Sequence, residues 1–388
     1  MLTKNINFHN FSCKKKNNVK NIFNEIKKNY FLGKEKLLLS LSDQYKYSFD
    51  LKKISKLKKF SIYRIIGMGG SVLGAEAIYN FLKFKIKKKF IFLNNLKSGV
   101  NKKFKKDILN LIISKSGNTL ETIANLNTQK INSNCIFITE NKNNYLRKIA
   151  EKMKCEIIEH KNYIGGRYSV LSEVGMLPAE LMGLNEKKFK QFNYLINNKK
   201  FINNLIKNVE GILQCVKKGK VNSIILNYDE DSQSLFYWYQ QLVAESLGKK
   251  SRGILPIVSQ MPKDNHSVMQ LYLDGPKNNF FTIFFSKHAR KINLSNYFLP
   301  KKFQYLKGKN LENILSSQKK SSENVFIKKK IPYRSFYILE KNEEQLGVLF
   351  TFFVLETILL SKFLKIDPFD QPAVEGIKKS TKNILLNI

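Results

Sequence analysis

Short apolar runs that stop abruptly at glycine, serine or asparagine, each followed by a stretch of helical periodicity, constrain this chain's fold more than any other feature. From Tyr63, YRIIG leads through glycines into GAEAIYNFLK, and FIFLNN, ILNLIISKS and NCIFIT extend the pattern. Strands that alternate with helices imply a parallel sheet, because parallel neighbours need a crossover, usually a helix. The pattern restarts after residue 218 with VNSIILNY and continues through GILPIV and NNFFTIFF. Both halves open with a strand and then a helix, which suggests internal duplication of one α/β module. The expected organisation is a helical N-terminal segment over residues 1–45, with NIFNEIKKNYFLG its best amphipathic piece, then a first α/β domain over 46–190. A helical connector over 191–218 leads to a second domain over 219–388 that closes on C-terminal helices.

A chain of 388 residues is long enough for two buried cores, and 43% hydrophobic with 12% aromatic residues excludes a disordered protein. The most apolar segment, residues 346–360, is shorter than the ~20 residues that span a bilayer and is interrupted by Glu356. It reads as a buried helix. The start, MLTKNINFHNFSCKKKNN, has no apolar signal-peptide core, so a cytoplasmic protein without membrane association is expected. Cys13, Cys135, Cys155 and Cys215 are scattered, with no pair at metal-ligand or redox spacing, and reduced thiols are expected.

The net charge of +38 invites a nucleic-acid reading, but 62 of the 68 basic residues are lysine, spread from Lys4 to Lys382. Nucleic-acid readers use arginine for bidentate contacts and interleave aromatics with the basic patch. Neither pattern appears, and abundant Lys, Asn, Ile and Phe share AT-rich codons. No specific nucleic-acid partner is expected, and the charge should raise the local concentration of anionic substrates.

Three motifs carry candidate chemistry. IIGMGGSVLGAEA places Gly67, Gly69, Gly70 and Ser71 between a strand and a helix, which reads either as an anion loop whose backbone N–H groups can approach a ligand or as a tight turn alone. In NLIISKSGNTLETIANL, a buried strand ends in Ser114, Lys115, Ser116 and Thr119 at the next helix start. Ligands of parallel sheets sit at such strand ends, and clustered hydroxyls with one cation suit a compact dianion such as a phosphate monoester. Ordinary N-capping is the bland alternative. In YIGGRYSVLS, Arg167 follows Gly165 and Gly166, where a fixed cation can face a developing oxyanion.

Two further stretches offer acid–base groups. WYQQLVAESLGKKSRG sets Gln241 and Glu245 at i and i+4, on one helical face, where Glu245 near the helix end could shuttle a proton or simply be solvated. His266 sits in the polar loop MPKDNHSVMQ, whereas His9, His160 and His288 have no comparable setting. No H-x-x-H, H-E-x-x-H or Cys/His cluster is present, and no P-loop or G-x-S-x-G elbow, so neither a metal nor a nucleotide cofactor is expected.

In this order the motifs resemble the glucose-6-phosphate isomerase family, in its shorter bacterial form with two sugar isomerase (SIS) domains. The resemblance covers residues 63–378, and its most specific part is IDPFDQPAVEGIK, similar to the family's N-P-F-D-Q-x-G-V-E-x-x-K, with Asp367 and Ala373 as departures. It implies two αβα-sandwich SIS domains with parallel sheets. It further implies phosphate binding by Ser71, Ser114, Lys115, Ser116 and Thr119, and substrate contacts from Gly166, Gln241 and Gln371. Glu245 would move the proton between C1 and C2, and Arg167 would stabilise the cis-enediolate. His266, supplied in the family by a neighbouring subunit, and Lys378 would assist ring opening, so a homodimer acting on a hexose 6-phosphate is implied. SKSGNT is also similar to SIS proteins that isomerise both glucose and mannose phosphates, and to sugar-phosphate-binding SIS regulators. The regulators usually carry a helix-turn-helix domain, for which the first 60 residues give no pattern.

Overall fold

The computed structural model describes all residues except 13–17, 97–106, 130, 132–133, 288–291, 296 and 298. Cys13 and His288 lie outside the described residues. The N-terminal segment, expected to be helical, begins instead with a strand, β1 (Ile6–His9), ahead of the amphipathic helix α1 (Asn18–Phe31). Residue alternation over INFH is too short to announce a strand; pairing with the second sheet, described below, creates it.

The first sheet is parallel throughout. Its strands are β2 (Ile62–Gly67), β3 (Lys89–Leu93), β4 (Ile108–Ile113), β5 (Cys135–Thr139) and β6 (Glu156–Glu159), in spatial order β3-β2-β4-β5-β6. The crossovers include α2 (Leu73–Phe81), α3 (Leu120–Thr128) and α4 (Tyr145–Lys152). Period-2 side-chain direction divides each strand between two cores. Leu111 and Ile113 of β4 join Ile65, Ile136 and Ile138 on one face. Ile112 joins Ile66 and Phe137 on the other, under Leu126, Leu146 and Ala150. Both faces are therefore covered, as the continuous apolar strands require.

After α5 (Glu173–Leu181) and α6 (Lys199–Lys217), the second sheet is built from β7 (Asn222–Asn227), β8 (Leu255–Gln260), β9 (Asn279–Ser286) and β10 (Tyr333–Ile338). Its helices are α7 (Gln233–Leu247), α8 (Leu311–Lys328) and α9 (Glu343–Leu364), and α10 (Glu375–Leu386) ends the chain. The spatial order β8-β7-β9-β10 repeats that of β3-β2-β4-β5, which the duplicated pattern anticipates. At the fifth position β1 pairs antiparallel to β10, with Ile6 opposite Ile338. Ile225, Phe284 and Phe336 face an apolar core shared by both halves of the chain, while Ile224, Leu226, Phe281 and Ile283 pack beneath Phe326 of α8.

Helix α9 carries the most apolar stretch, and 89% of its most apolar window is buried inside the protein. Its Glu356 is wholly buried and pairs with Arg334 of β10. Tyr239 donates to the same carboxylate at 2.8 Å, and Arg334 Nε donates to Thr282 at 2.9 Å. A buried ion pair persists only when its hydrogen bonds are satisfied in this way.

The expectation of reduced thiols fails at one pair. Cys135 and Cys155 form a disulfide, with Cα atoms 5.9 Å apart. Twenty residues separate them in sequence, but Ile136 lies opposite Glu156 in the β5–β6 register, so the cysteines are cross-strand neighbours.

Candidate active site

The order β3-β2-β4 makes the carboxyl ends of β2 and β4 a topological switch point, where crossovers depart to opposite sides and leave a crevice. Gly67 lies opposite Ile113 there. Beyond β2 a 3-10 turn, Gly69–Ser71, leads into α2, and beyond β4 the serine-rich turn leads into α3. Neither helix has a side-chain cap at its N-terminus. Thr119 occupies the cap position of α3, but its hydroxyl lies 2.8 Å from that of buried Ser114. Ser114 also accepts from Gly117 N–H at 3.2 Å. Ordinary capping, the bland reading of this cluster, is thus not what Thr119 does. Ser116 is exposed and accepts from Asn118 N–H at 3.3 Å, and Ser71 is half-buried. Two neighbouring uncapped helix starts with hydroxyls between them suit a compact anion.

Lys115 is held to one side of this mouth. Its ammonium donates to the Asn162 carbonyl at 2.8 Å and lies 3.5 Å from Glu140. Glu140 follows the neighbouring strand β5, which puts it within reach of the lysine.

Glycine is required where three segments converge. Gly69 has φ +52°, and a Cβ there would stand 2.6 Å from Gln241 Nε2; at Gly70 it would stand 2.2 Å from the Gly166 carbonyl carbon and oxygen. The turn after β2, the glycine pair before Arg167 and helix α7 of the second domain are therefore in close contact. Arg167 is 3% exposed and spends its donors on several partners. Nε donates to Ser246 Oγ at 2.8 Å, and Nη1 to Glu245 Oε2 at 3.1 Å and Gln371 Oε1 at 3.4 Å. Nη2 donates to the carbonyls of Pro368 at 2.5 Å and Asp370 at 3.0 Å. The second oxygen of Glu245 accepts from Gln241 Nε2 at 2.8 Å, the i to i+4 contact that the helical spacing implies. A partly exposed carboxylate is thus held between an amide and a fixed guanidinium, beside the hydroxyl-lined mouth.

Residues 55–388 match the model of a family described as phosphoglucose isomerase. The chain belongs to the phosphoglucose isomerase family. It is 31% identical over 355 residues to the glucose-6-phosphate isomerase of Methanocaldococcus jannaschii, covering 86% of each chain. It is 32% identical to that of Mycoplasmopsis synoviae, over 83% of this chain and 82% of the relative. Among solved structures, its fold is similar to that of a hypothetical protein from Thermus thermophilus (TM-score 0.78, 22% identity, 86% of this chain and 87% of the other). It is also similar to a glucose-6-phosphate isomerase from Chlamydia trachomatis (TM-score 0.71, 18% identity, 86% and 72%).

For this member of the phosphoglucose isomerase family, the structure gathers Arg167, Gly166, Gln241, Glu245 and Gln371 into one cluster, and Ser114 and Thr119 into the adjoining mouth. Two candidates stand apart. His266 ends an exposed 3-10 turn after β8 and enters none of the hydrogen bonds of the Arg167 cluster. Lys378 lies on α10, where it pairs with Glu375 at 2.6 Å in solvent.

Other residues of the site carried no role in the sequence. Ser246 accepts from Arg167 and lies 2.8 Å from the Tyr168 hydroxyl, and Lys249 holds Asp370 at 2.5 Å. All sit inside or beside the recognised motifs, but only folding shows what each touches. His160, which had no evident setting, is buried at the end of β6, where desolvation pushes its pKa down to about 4. Among the described residues, no three His, Cys, Asp or Glu side chains gather as a metal site would.

Proposed function

We propose that this chain interconverts glucose 6-phosphate and fructose 6-phosphate, the reaction for which its relatives are named. The observation that carries the proposal is the Glu245–Arg167 contact at 3.1 Å, formed between the two domains beside an anion-suited mouth. The phosphate rests at Ser71, Ser114, Ser116 and Thr119, with Lys115 nearby. That remote grip orients C1 and C2 over Glu245. Glu245 removes the C2 proton of the open-chain aldose while the C1 carbonyl oxygen takes up the negative charge. Arg167 stabilises this cis-enediolate, the proton of the C2 hydroxyl passes to O1, and Glu245 returns its proton to C1 as the ketone forms at C2. Gln241 fixes the other carboxylate oxygen, and Gln371 and Gly166 line the sugar.

Ring opening falls to Lys378 and to His266 of a second copy, so the working unit is a homodimer in the cytoplasm. The exposure of His266 supports that assignment, as does the solvent-facing row Ile377, Ile384 and Ile388 on α10 and the residues after it. The chemistry needs neither metal nor nucleotide. A coupled assay on purified protein tests the reading: turnover of fructose 6-phosphate is expected, and a rate no higher than the enzyme-free blank overturns it. Mannose 6-phosphate assayed in parallel sets the breadth at C2.

A further inference from the structure

The C-terminal strap, residues 367–371, crosses over Arg167 and leads to α10, none of whose residues is buried. Packing within the chain does not place α10, so within one protomer the strap must. Two side chains of one tight turn hold that strap and the helix end before it. After α7 the chain reverses through an isolated bridge between Lys249 and Arg252, with Lys249 N–H donating to the Arg252 carbonyl at 3.1 Å and the reverse bond at 2.9 Å. The two residues between them, Lys250 and Ser251, have φ +54° and +55°. Consecutive left-handed residues make the primed turn that pairs its flanks most tightly, and outside glycine and asparagine they are uncommon. A backbone conformation that costs energy persists where surrounding contacts enforce it.

From the base of this turn Arg252 Nη1 donates to the carbonyl of Leu364, at the end of α9, at 2.7 Å. Lys249, whose side chain is 12% exposed, reaches the Asp370 carboxylate at 2.5 Å and also donates to the Asp367 carbonyl. The turn therefore holds the end of α9 through Arg252 and the strap through Lys249. Its Lys249 hydrogen bond holds the Asp370 carboxyl below the usual carboxylate range, so the latch stays charged at neutral pH. Phe369 and Pro368 complete the seat against Tyr168, whose hydroxyl donates to the Pro368 carbonyl at 3.2 Å.

We propose that Lys249 is a positioning residue: by latching Asp370 and the Asp367 carbonyl, it sets Gln371 against Arg167 and fixes where α10 presents Lys378, without touching substrate. The role of the strap in turnover rests on the isomerase reading; the latch itself does not.

The test uses the full-length protein and the variants Lys249→Met, Lys249→Arg, Asp370→Asn and Lys249→Met/Asp370→Asn. Mispositioning of this kind is expected to lower kcat about 10- to 100-fold in Lys249→Met. Lys249→Arg should recover most of that loss. The double variant should be no worse than the poorer single one, because both remove one latch. Thermal midpoints should stay close to wild type, since the strap lies outside the cores. Hydrogen exchange over residues 367–386 should accelerate in Lys249→Met. Wild-type kcat with unchanged exchange in Lys249→Met overturns the proposal, as do multiplicative losses in the double variant. If the unmodified protein has no isomerase activity, the isomerase reading fails, and the exchange measurement still decides the latch.

Discussion

The two sheets share an order and even a local shape, but their mouths have opposite chemistry. After β2 comes the 3-10 turn Gly69–Ser71, and after β7 the 3-10 turn Glu230–Ser232; each leads into a helix. In the first turn glycines allow close approach, and the neighbouring strand end offers hydroxyls. In the second, Asp229, Glu230 and Asp231 crowd the equivalent place, and Lys341 reaches in to lie 2.8 Å from Asp229 and 3.2 Å from Asp231. Asn227 ties the same loop to Gln260 on β8 at 3.1 Å. One mouth carries hydroxyls and glycines; the other is filled by the protein's own charges. The second domain contributes instead through α7, whose Gln241 and Glu245 lie against the first domain's glycine turn. On the proposed reading the two frames divide the work: the loops of one suit binding, and a helix of the other carries the acid–base group.

Breaking the catalytic side of that division gives the largest expected effect. Glu245→Gln keeps the shape and the Gln241 contact but removes the base, so kcat should fall by about 10² to 10⁴ while KM changes by only a few-fold. Stopped or continuous assays at saturating fructose 6-phosphate read it directly; an unchanged kcat removes Glu245 from the mechanism. Next comes the filled mouth. Asp229→Ala leaves the ammonium of Lys341, whose side chain is 4% exposed, with only the half-exposed Asp231 as its carboxylate partner, and losing one partner of a buried pair costs up to about 3–5 kcal/mol. Urea unfolding should show that loss with KM unaltered in the remaining native protein. A raised KM with intact stability would mean that the second mouth also binds substrate.

Legibility in the sequence followed the same division. The strands found by pattern alone, such as those containing LNLIIS and NSIILN, are central and apolar, so periodicity and abrupt polar ends both mark them. Three strands escaped notice. β6 reads EIIE, too short and too charged at its ends, and β1 gains its identity only from pairing with β10. β10 carries Arg334, which looks like a surface residue until Glu356, on a helix 22 positions later, neutralises it. The site was legible where its groups share one helix or one turn, as Gln241 with Glu245 or Ser114 with Thr119. It was illegible where contacts join distant segments, such as Arg167 to Ser246 and to the carbonyls of Pro368 and Asp370. Local spacing cannot encode a contact between segments so far apart in the chain.

A buried titratable group lies beside the open mouth. His160, between the ends of β5 and β6, is buried beside Lys115 and Glu140, and desolvation lowers its pKa from 6.5 to about 4. A base whose folded pKa is depressed binds its proton first in the unfolded chain. Stability from this group is therefore complete above pH 6.5 and is lost progressively as pH falls towards 4, by up to about 3 kcal/mol. Replacing His160 with Gln should flatten the acid limb of the stability profile between those values. A limb of unchanged slope would show that the imidazole is already hydrated in the native state.

The smallest effect is the most specific to the mouth itself. Ser114 is buried, with its hydroxyl 2.8 Å from that of Thr119 and 3.2 Å from the Gly117 N–H. It both shapes the turn and, on the proposed reading, donates to phosphate. Ser114→Ala removes one charge-assisted hydrogen bond to the ligand, worth about 1.5–3 kcal/mol, so KM should rise about 10- to 100-fold. Because that bond forms in the ground state and the transition state alike, kcat should stay within about twofold. Inorganic phosphate, as a competitive inhibitor, should weaken by the same factor, since it makes the contact without the sugar. If kcat falls instead and phosphate inhibition is unchanged, Ser114 supports the geometry of the turn rather than the ligand, and the anion must be held by the helix starts alone.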